Sequence, residues 1–129
     1  MIGDVIADLN LHDTIAEVGL DYDVGIAGSK LTGEQRQKLA LSRALIKEPD
    51  CMLLSDATNS FDSANQAKVL NSITEAFDGR CLVWGVMRPS MAEAFDRVVV
   101  LRQGRIVEQG SFEELSSKQG VFKELLDAE

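Results

Sequence analysis

The run Leu31-Thr-Gly-Glu-Gln-Arg-Gln-Lys-Leu-Ala-Leu-Ser-Arg-Ala-Leu45, followed by Pro49-Asp-Cys-Met-Leu-Leu-Ser-Asp-Ala-Thr-Asn-Ser-Phe-Asp62, constrains the fold more than any other feature. Thr32-x-x-Gln35 has the form of a capping box, which predicts a helix from about Gly33 to about Lys47, ended by Pro49. Cys51–Leu54 then reads as a short buried strand. Ser55 and Asp56 stand at its C-terminal end. Helix N-termini attract phosphate, and the C-terminal ends of strands in α/β sheets are where ligands bind. The pattern is therefore a nucleotide-handling arrangement.

Helices and short apolar strands alternate along the rest of the chain. Residues 1–20 read as helical, with Ile2, Val5, Ile6, Leu9, Ile15, Val18 and Leu20 at apolar positions. Asp21–Lys30 reads as loop, broken by Gly25 and Gly28. Ser63-x-x-Gln66 has the form of a second capping box, opening a helix through Val69, Leu70, Ile73 and Phe77 that Gly79 stops. Cys81–Val86 reads as another buried strand. Ser90-x-x-Glu93 starts a short helix after Pro89. Val98–Leu101 and Arg105–Glu108 read as two strands across a Gln103-Gly104 turn. Ser111-x-x-Glu114 opens the last helical region, interrupted by Gly120 before a helix at Val121–Ala128. This order indicates an α/β fold with a mainly parallel sheet.

At 129 residues the chain supports one domain at most, with a modest core. Apolar residues make up 45% and charged residues 26%, as in a globular chain. The net charge is −8, without a long block of either sign, which argues against non-specific nucleic-acid binding. ATP needs only local positive potential and is not excluded. No apolar run approaches membrane-spanning length. Cys51 and Cys81 both fall in apolar strand-like runs; two buried free thiols are the favoured reading and a disulfide the alternative, and their spacing gives no metal site. The one histidine, His12, lies in a helical segment and reads as an ordinary surface or satisfied residue.

The first of the two opening runs resembles the signature motif of ATP-binding cassette (ABC) ATPases, LSGGQRQR followed by an apolar helix and ARAL. The second resembles that family's Walker B and D-loop run, an apolar strand followed by DEATSALD. Asp96-Arg-Val-Val-Val-Leu-Arg-Gln-Gly-Arg-Ile-Val-Glu-Gln-Gly-Ser-Phe-Glu-Glu-Leu115 resembles the closing segment of exporter-type nucleotide-binding domains. The likeness covers roughly residues 19–129. It implies a P-loop NTPase-like (RecA-like) partial parallel sheet with helices, plus an ABC helical subdomain. Residues 1–50 would form the helical subdomain with the signature motif, and residues 51–129 the C-terminal part of the RecA-like core.

The resemblance also assigns roles. Thr32, Gly33, Glu34 and Gln35 correspond to the signature turn, which in the family contacts the γ-phosphate held by the opposite subunit. Thr32 keeps the hydroxyl of the family's serine. Glu34 replaces the second glycine and brings a negative charge near an anion, which weakens phosphate binding unless the side chain turns away. Ser55 stands at the position of the magnesium-associated aspartate, and Asp56 at that of the catalytic glutamate. Serine carries no charge to hold a metal-bound water shell. Aspartate is one methylene shorter than glutamate, so its reach toward an attacking water is reduced. Asn59-Ser-Phe-Asp62 matches the D-loop, and Asp62 also suits a helix N-terminus. Met87 stands where the switch histidine belongs, and methionine cannot hydrogen-bond a γ-phosphate as histidine does. Arg88 matches the arginine that commonly follows. No residue is assigned to a protein-held metal.

No G-x-x-x-x-G-K-[ST] phosphate loop occurs in the sequence. In the family that loop, the adenine-stacking aromatic and the Q-loop glutamine lie upstream of the segment matched here. Without the phosphate-loop strand, Leu82–Val86 and Val98–Leu101 lack a shared neighbour, and their backbone groups need another partner. The resemblance thus implies an excised or split piece, or a chain that completes its sheet with the missing N-terminal cassette part or another chain. ATP and Mg2+ would be the cofactors of the intact dimer, and the isolated chain would bind neither. The partners would be a second nucleotide-binding domain and the transmembrane domain of a transporter, at the cytoplasmic face of a membrane. A non-catalytic dimerisation or regulatory module derived from a cassette is the second reading. A soluble cassette ATPase acting on DNA or ribosomes is disfavoured by the acidic balance.

Overall fold

The computed structural model describes residues 2–9 and 11–129. They form two compact units, one reaching to Trp84 and one from Gly85 to Glu129.

The first unit begins with two short helices, α1 (Ile2–Asp8) and α2 (His12–Val18). The helical reading of residues 1–20 included Met1 and Asn10, which lie outside the described residues. Gly19 ends α2 at a positive φ of 78°, open to glycine and strained for other residues. A single 3₁₀ turn at Ile26–Gly28 punctuates the loop that follows. Helix α3 spans Gly33–Leu45, with the capping box formed as predicted. The Thr32 Oγ1 accepts from the Gln35 amide at 3.1 Å, and the Gln35 side chain accepts from the Thr32 amide at 2.9 Å. Strand β1 (Cys51–Ser55) leads into helix α4 (Ser63–Ala76) and back to strand β2 (Cys81–Gly85). A helical crossover returns the chain in the same direction, and β1 and β2 make a small parallel sheet.

Helix α4 corrects one local expectation. Its N-cap is Asp62, whose side chain accepts from the Asn65 amide at 2.9 Å; Ser63 is the first helical residue. Asp at N-cap is as good a cap as Ser. Gln66 is released from a capping role and lies buried, its Nε2 donating to Thr58 Oγ1 at 3.0 Å.

The core of this unit gathers Val5, Leu9, Leu11, Leu41, Met52, Leu54, Phe61, Val69, Ile73 and Phe77. Leu9 and Ile73 are fully shielded. Side chains of this size each contribute about 1.5–3 kcal/mol on burial. Both strands were expected to be buried throughout, and the structure corrects this. In β1 only Met52 and Leu54 face the core, while Cys51, Leu53 and Ser55 are exposed. In β2, Leu82 and Trp84 are partly covered, and Cys81, Val83 and Gly85 are exposed. Helices cover one face of this sheet, so alternate side chains meet water.

The second unit contains a 3₁₀ helix (Pro89–Ala94) and an antiparallel hairpin of β3 (Val98–Arg102) and β4 (Arg105–Gly110). Gln103 and Gly104 both take positive φ, 51° and 73°, the type I′ geometry that two-residue hairpins favour. A register shift falls between Val100 and Leu101. Helix α5 (Phe112–Ser117) starts from a formed Ser111/Glu114 capping box, and α6 (Val121–Asp127) ends the chain. Ala92, Val98, Val100, Leu115 and Phe122 make a second small core, with Phe112 and Phe122 edge-to-face at 5.7 Å. The described strands thus make two separate two-stranded sheets.

Candidate functional site

Helix α3 and the β1–α4 loop converge in the first unit. Gly33 opens α3 against Ser60: a β-carbon there would lie 3.0 Å from Ser60 Oγ and 3.4 Å from Ser60 Cβ. Glycine therefore fits this close approach better than any side chain. One turn later, Gln37 latches the loop at two points. Its Nε2 donates to the Asp56 carbonyl at 3.2 Å, and its Oε1 accepts from the Ser60 amide at 3.0 Å. Upstream, Arg36 donates to the Leu31 carbonyl at 2.9 Å, fixing the approach to the turn.

Glu34 does turn away from the helix end. Its Oε1 lies 2.8 Å from Lys38 Nζ, one helical turn on, and accepts from Asn65 Nδ2 on α4 at 3.3 Å. Lys38 is 5% exposed, and its ammonium also sits 5.6 Å from the centre of the Phe61 ring. The negative charge is thus neutralised beside a cation and kept off the first-turn amides of α3. Those amides are the donors that a helix leaves without an intrahelical acceptor.

Ser55 ends β1 and is exposed. Asp56 follows in the left-handed region, φ 50°, where aspartate is better tolerated than most residues. Its carbonyl is the acceptor for Gln37. The Thr58–Gln66 pair and the Asp62 cap tie the rest of the loop to α4. The Asn65 amide, donating to the Asp62 carboxylate, holds its pKa below the ordinary carboxylate value; desolvation opposes this, and the Ala64 amide, the Asn65 side chain and the Lys38 charge add smaller lowering effects. Among the described residues, no group of three or more His, Cys, Asp or Glu converges as a metal-binding set.

The structure therefore brings Thr32, Gly33, Glu34 and Gln35 beside the Asp56–Asp62 loop. Met87 belongs to the second unit and is 72% exposed. Arg88 lies 3.5 Å from the Glu129 carboxylate, which also accepts from the Ser90 amide and hydroxyl at 2.9 and 2.6 Å. Sequence reasoning passed over Lys38 as a partner for Glu34, although the i, i+4 spacing of opposite charges was a visible signal. The double latch of Gln37 had no local signal, because its partners lie 19 and 23 residues away.

Comparison with known proteins places this geometry. No family model matches the chain. The chain is 36% identical over 121 residues to the ABC multidrug transporter MDR1 of Cryptococcus neoformans, covering 92% of this chain and 9% of that protein. It is 40% identical over 104 residues to the ATP-dependent lipid A-core flippase of Cupriavidus metallidurans, covering 81% of this chain and 18% of the flippase. A solved bacterial Atm1-family ABC exporter with ATP bound superposes with a TM-score of 0.91 at 29% identity, over 98% of this chain and 23% of the exporter. The chain belongs to the ABC transporter family of ATP-binding cassettes. The RecA-like α/β fold expected from the signature, Walker B and closing segments is the fold of that exporter neighbour. A further relative, a sophorolipid transporter of Starmerella bombicola, aligns over 95% of the chain, so the cassette likeness extends beyond residues 19–129 into the first helices. The chain spans less than a fifth of the length of these curated relatives. No helix among the described residues is long and apolar enough to cross a membrane.

Proposed function

We propose that this chain is the C-terminal part of an exporter-type nucleotide-binding domain, coupling ATP binding and hydrolysis to transport across a membrane, with its own ATP site slow or inactive. The observation that carries this reading is the contrast within one site. The capped turn at Thr32–Gln35 keeps its backbone donors clear of Glu34, while the strand end offers Ser55 and Asp56 in place of the aspartate and glutamate of the family pattern. The turn suits a phosphate group: helix-end amides, a hydroxyl at Thr32 and a glycine with little bulk. The strand end suits a metal poorly, because Ser55 is neutral and Asp56 is a short carboxylate. Met87 adds no donor for a γ-phosphate.

In this reading Thr32, Gly33, Glu34 and Gln35 face the nucleotide of a second nucleotide-binding domain, and Asp62 orders the loop that runs to the dimer interface. Residues 1–50 serve as the helical subdomain and residues 51–129 as part of the ATPase core. ATP and Mg2+ act in the intact dimer, at the cytoplasmic face of the membrane, beside a transmembrane domain. The missing N-terminal cassette part, or another chain, completes the sheet.

The test is an ATPase assay. Purified 1–129 shows no turnover, whereas turnover that disappears on Asp56→Asn overturns the proposal. In the complete parent domain, Ser55→Asp, Asp56→Glu and Met87→His together raise the hydrolysis rate. No gain from the triple change favours the second reading, a non-catalytic dimerisation or regulatory module, for which the neutral Ser55 is the supporting observation.

A further inference from the structure

The two cysteines stand side by side on an open sheet face. Cys51 is the first residue of β1 and Cys81 the first residue of β2. The Cys81 amide donates to the Asp50 carbonyl at 3.0 Å. In a parallel ladder that bond sets Cys81 directly opposite Cys51. The two burial patterns put both side chains on the same, exposed face, and both thiols are free. Neighbouring strands lie about 4.8 Å apart. That spacing falls inside the Cα separation of about 4.4–6.8 Å that a disulfide spans.

We propose that Cys51 and Cys81 form a reversible redox site, closing to a cross-strand disulfide by exchange with a small-molecule disulfide such as oxidised glutathione. One of the two cysteines, such as Cys81, loses its proton to solvent, and its thiolate attacks one sulfur of the glutathione disulfide. A Cys81–glutathione bond forms, the glutathione S–S bond breaks, and one glutathione thiolate leaves. Cys51 then loses its proton to solvent and attacks the Cys81 sulfur. The Cys51–Cys81 bond forms and the second glutathione thiolate leaves. Two cysteine thiols are oxidised and one glutathione disulfide is reduced to two thiols.

The two thiols already interact: the hydrogen bond with Cys81, together with desolvation and the Cys81 charge, pushes the Cys51 thiol up from its ordinary pKa. The new bond closes a ring through β1, α4 and β2. It ties together the starts of both strands, one of which ends at Ser55, just before Asp56. Where disulfides occur in reducing compartments they are usually transient and redox-sensing, and an exposed pair on a sheet face fits that use.

Intact-mass measurement of the 129-residue chain after incubation in oxidised glutathione tests the proposal. The expected product is lighter by the mass of two hydrogens, takes up no iodoacetamide, melts at a higher temperature, and returns to the starting mass with dithiothreitol. The Cys51→Ser chain stops one step earlier, carrying one glutathione at Cys81. Stable glutathione adducts on the unmutated chain, disulfide-linked dimers, or two thiols that still alkylate would each overturn the proposal. The measurement on the unmutated chain stands whether or not the variant folds.

Discussion

The turn at Thr32–Gln35 and the strand end at Ser55–Asp56 lie next to each other in one unit, joined by Gln37. They depart from the family pattern in different ways. The turn presents backbone amides, a small residue and a capped helix end, which Thr32 and Gly33 supply. Its one intrusive change, Glu34, is absorbed by Lys38 and Asn65. The strand end presents side chains instead, a neutral serine and a short carboxylate. The comparison teaches that a side chain introduced at a backbone turn can be drawn aside by its neighbours, as Glu34 is, whereas the missing charge at Ser55 is a property of that one side chain.

The largest effect comes from removing the partner. Lys38→Ala leaves Glu34 without its cation beside a nearly buried position and lowers stability by about 3 kcal/mol in urea unfolding. It also swings the Glu34 charge toward the α3 amides. A loss under about 1 kcal/mol, within the range of surface ion pairs, would mean that the turn does not depend on this pairing.

Gln37→Ala breaks the bridge between the two regions. The Asp56 carbonyl and the Ser60 amide each lose a partner, and the expected cost is about 1.5 kcal/mol. Faster hydrogen exchange at the Ser60 amide is the specific sign that the loop has come away from α3. Unchanged exchange there would show that the loop holds its shape without the helix, and that the two regions are independent.

The smallest effect is a pH dependence at Asp62. Its pKa is lowered in the folded chain, chiefly by the Asn65 amide. The cap therefore stabilises fully above the ordinary carboxylate pKa and is lost as pH falls through the lowered value. The melting-temperature deficit of Asp62→Ala is constant from neutral pH to about pH 5 and shrinks below about pH 4. A deficit that persists unchanged at low pH would assign the stabilisation to packing instead of to the charged cap.

Much of the fold was legible because local signals carried it. The capping boxes at Thr32 and Ser111 formed as read, since each needs only residues three positions apart. The Gln103-Gly104 turn followed from its tolerance of positive φ. The N-cap of α4 was read one residue late, at Ser63, because Asp62 and Ser63 are both good caps and only the backbone geometry chooses between them. The candidate site was legible as a set of motifs, but the latch that joins them was not. The roles of Gln37 and Lys38 depend on which segments meet, and spacing along the chain does not encode that.

By itself, the sequence determined the order of helices and strands, most of their caps and turns, and that Ser55 and Met87 stand where the family pattern it resembles has an aspartate and a histidine. These are consequences of periodicity, capping chemistry and side-chain identity, each readable within a few residues. The tertiary structure decided how many faces of the β1–β2 sheet are covered, and so why Cys51 and Cys81 are exposed instead of buried. It also decided that Glu34 points to Lys38 and Asn65. Burial and charge pairing depend on what packs against a segment: the apolar runs of β1 and β2 read as strands covered on both faces, yet one face of each is exposed.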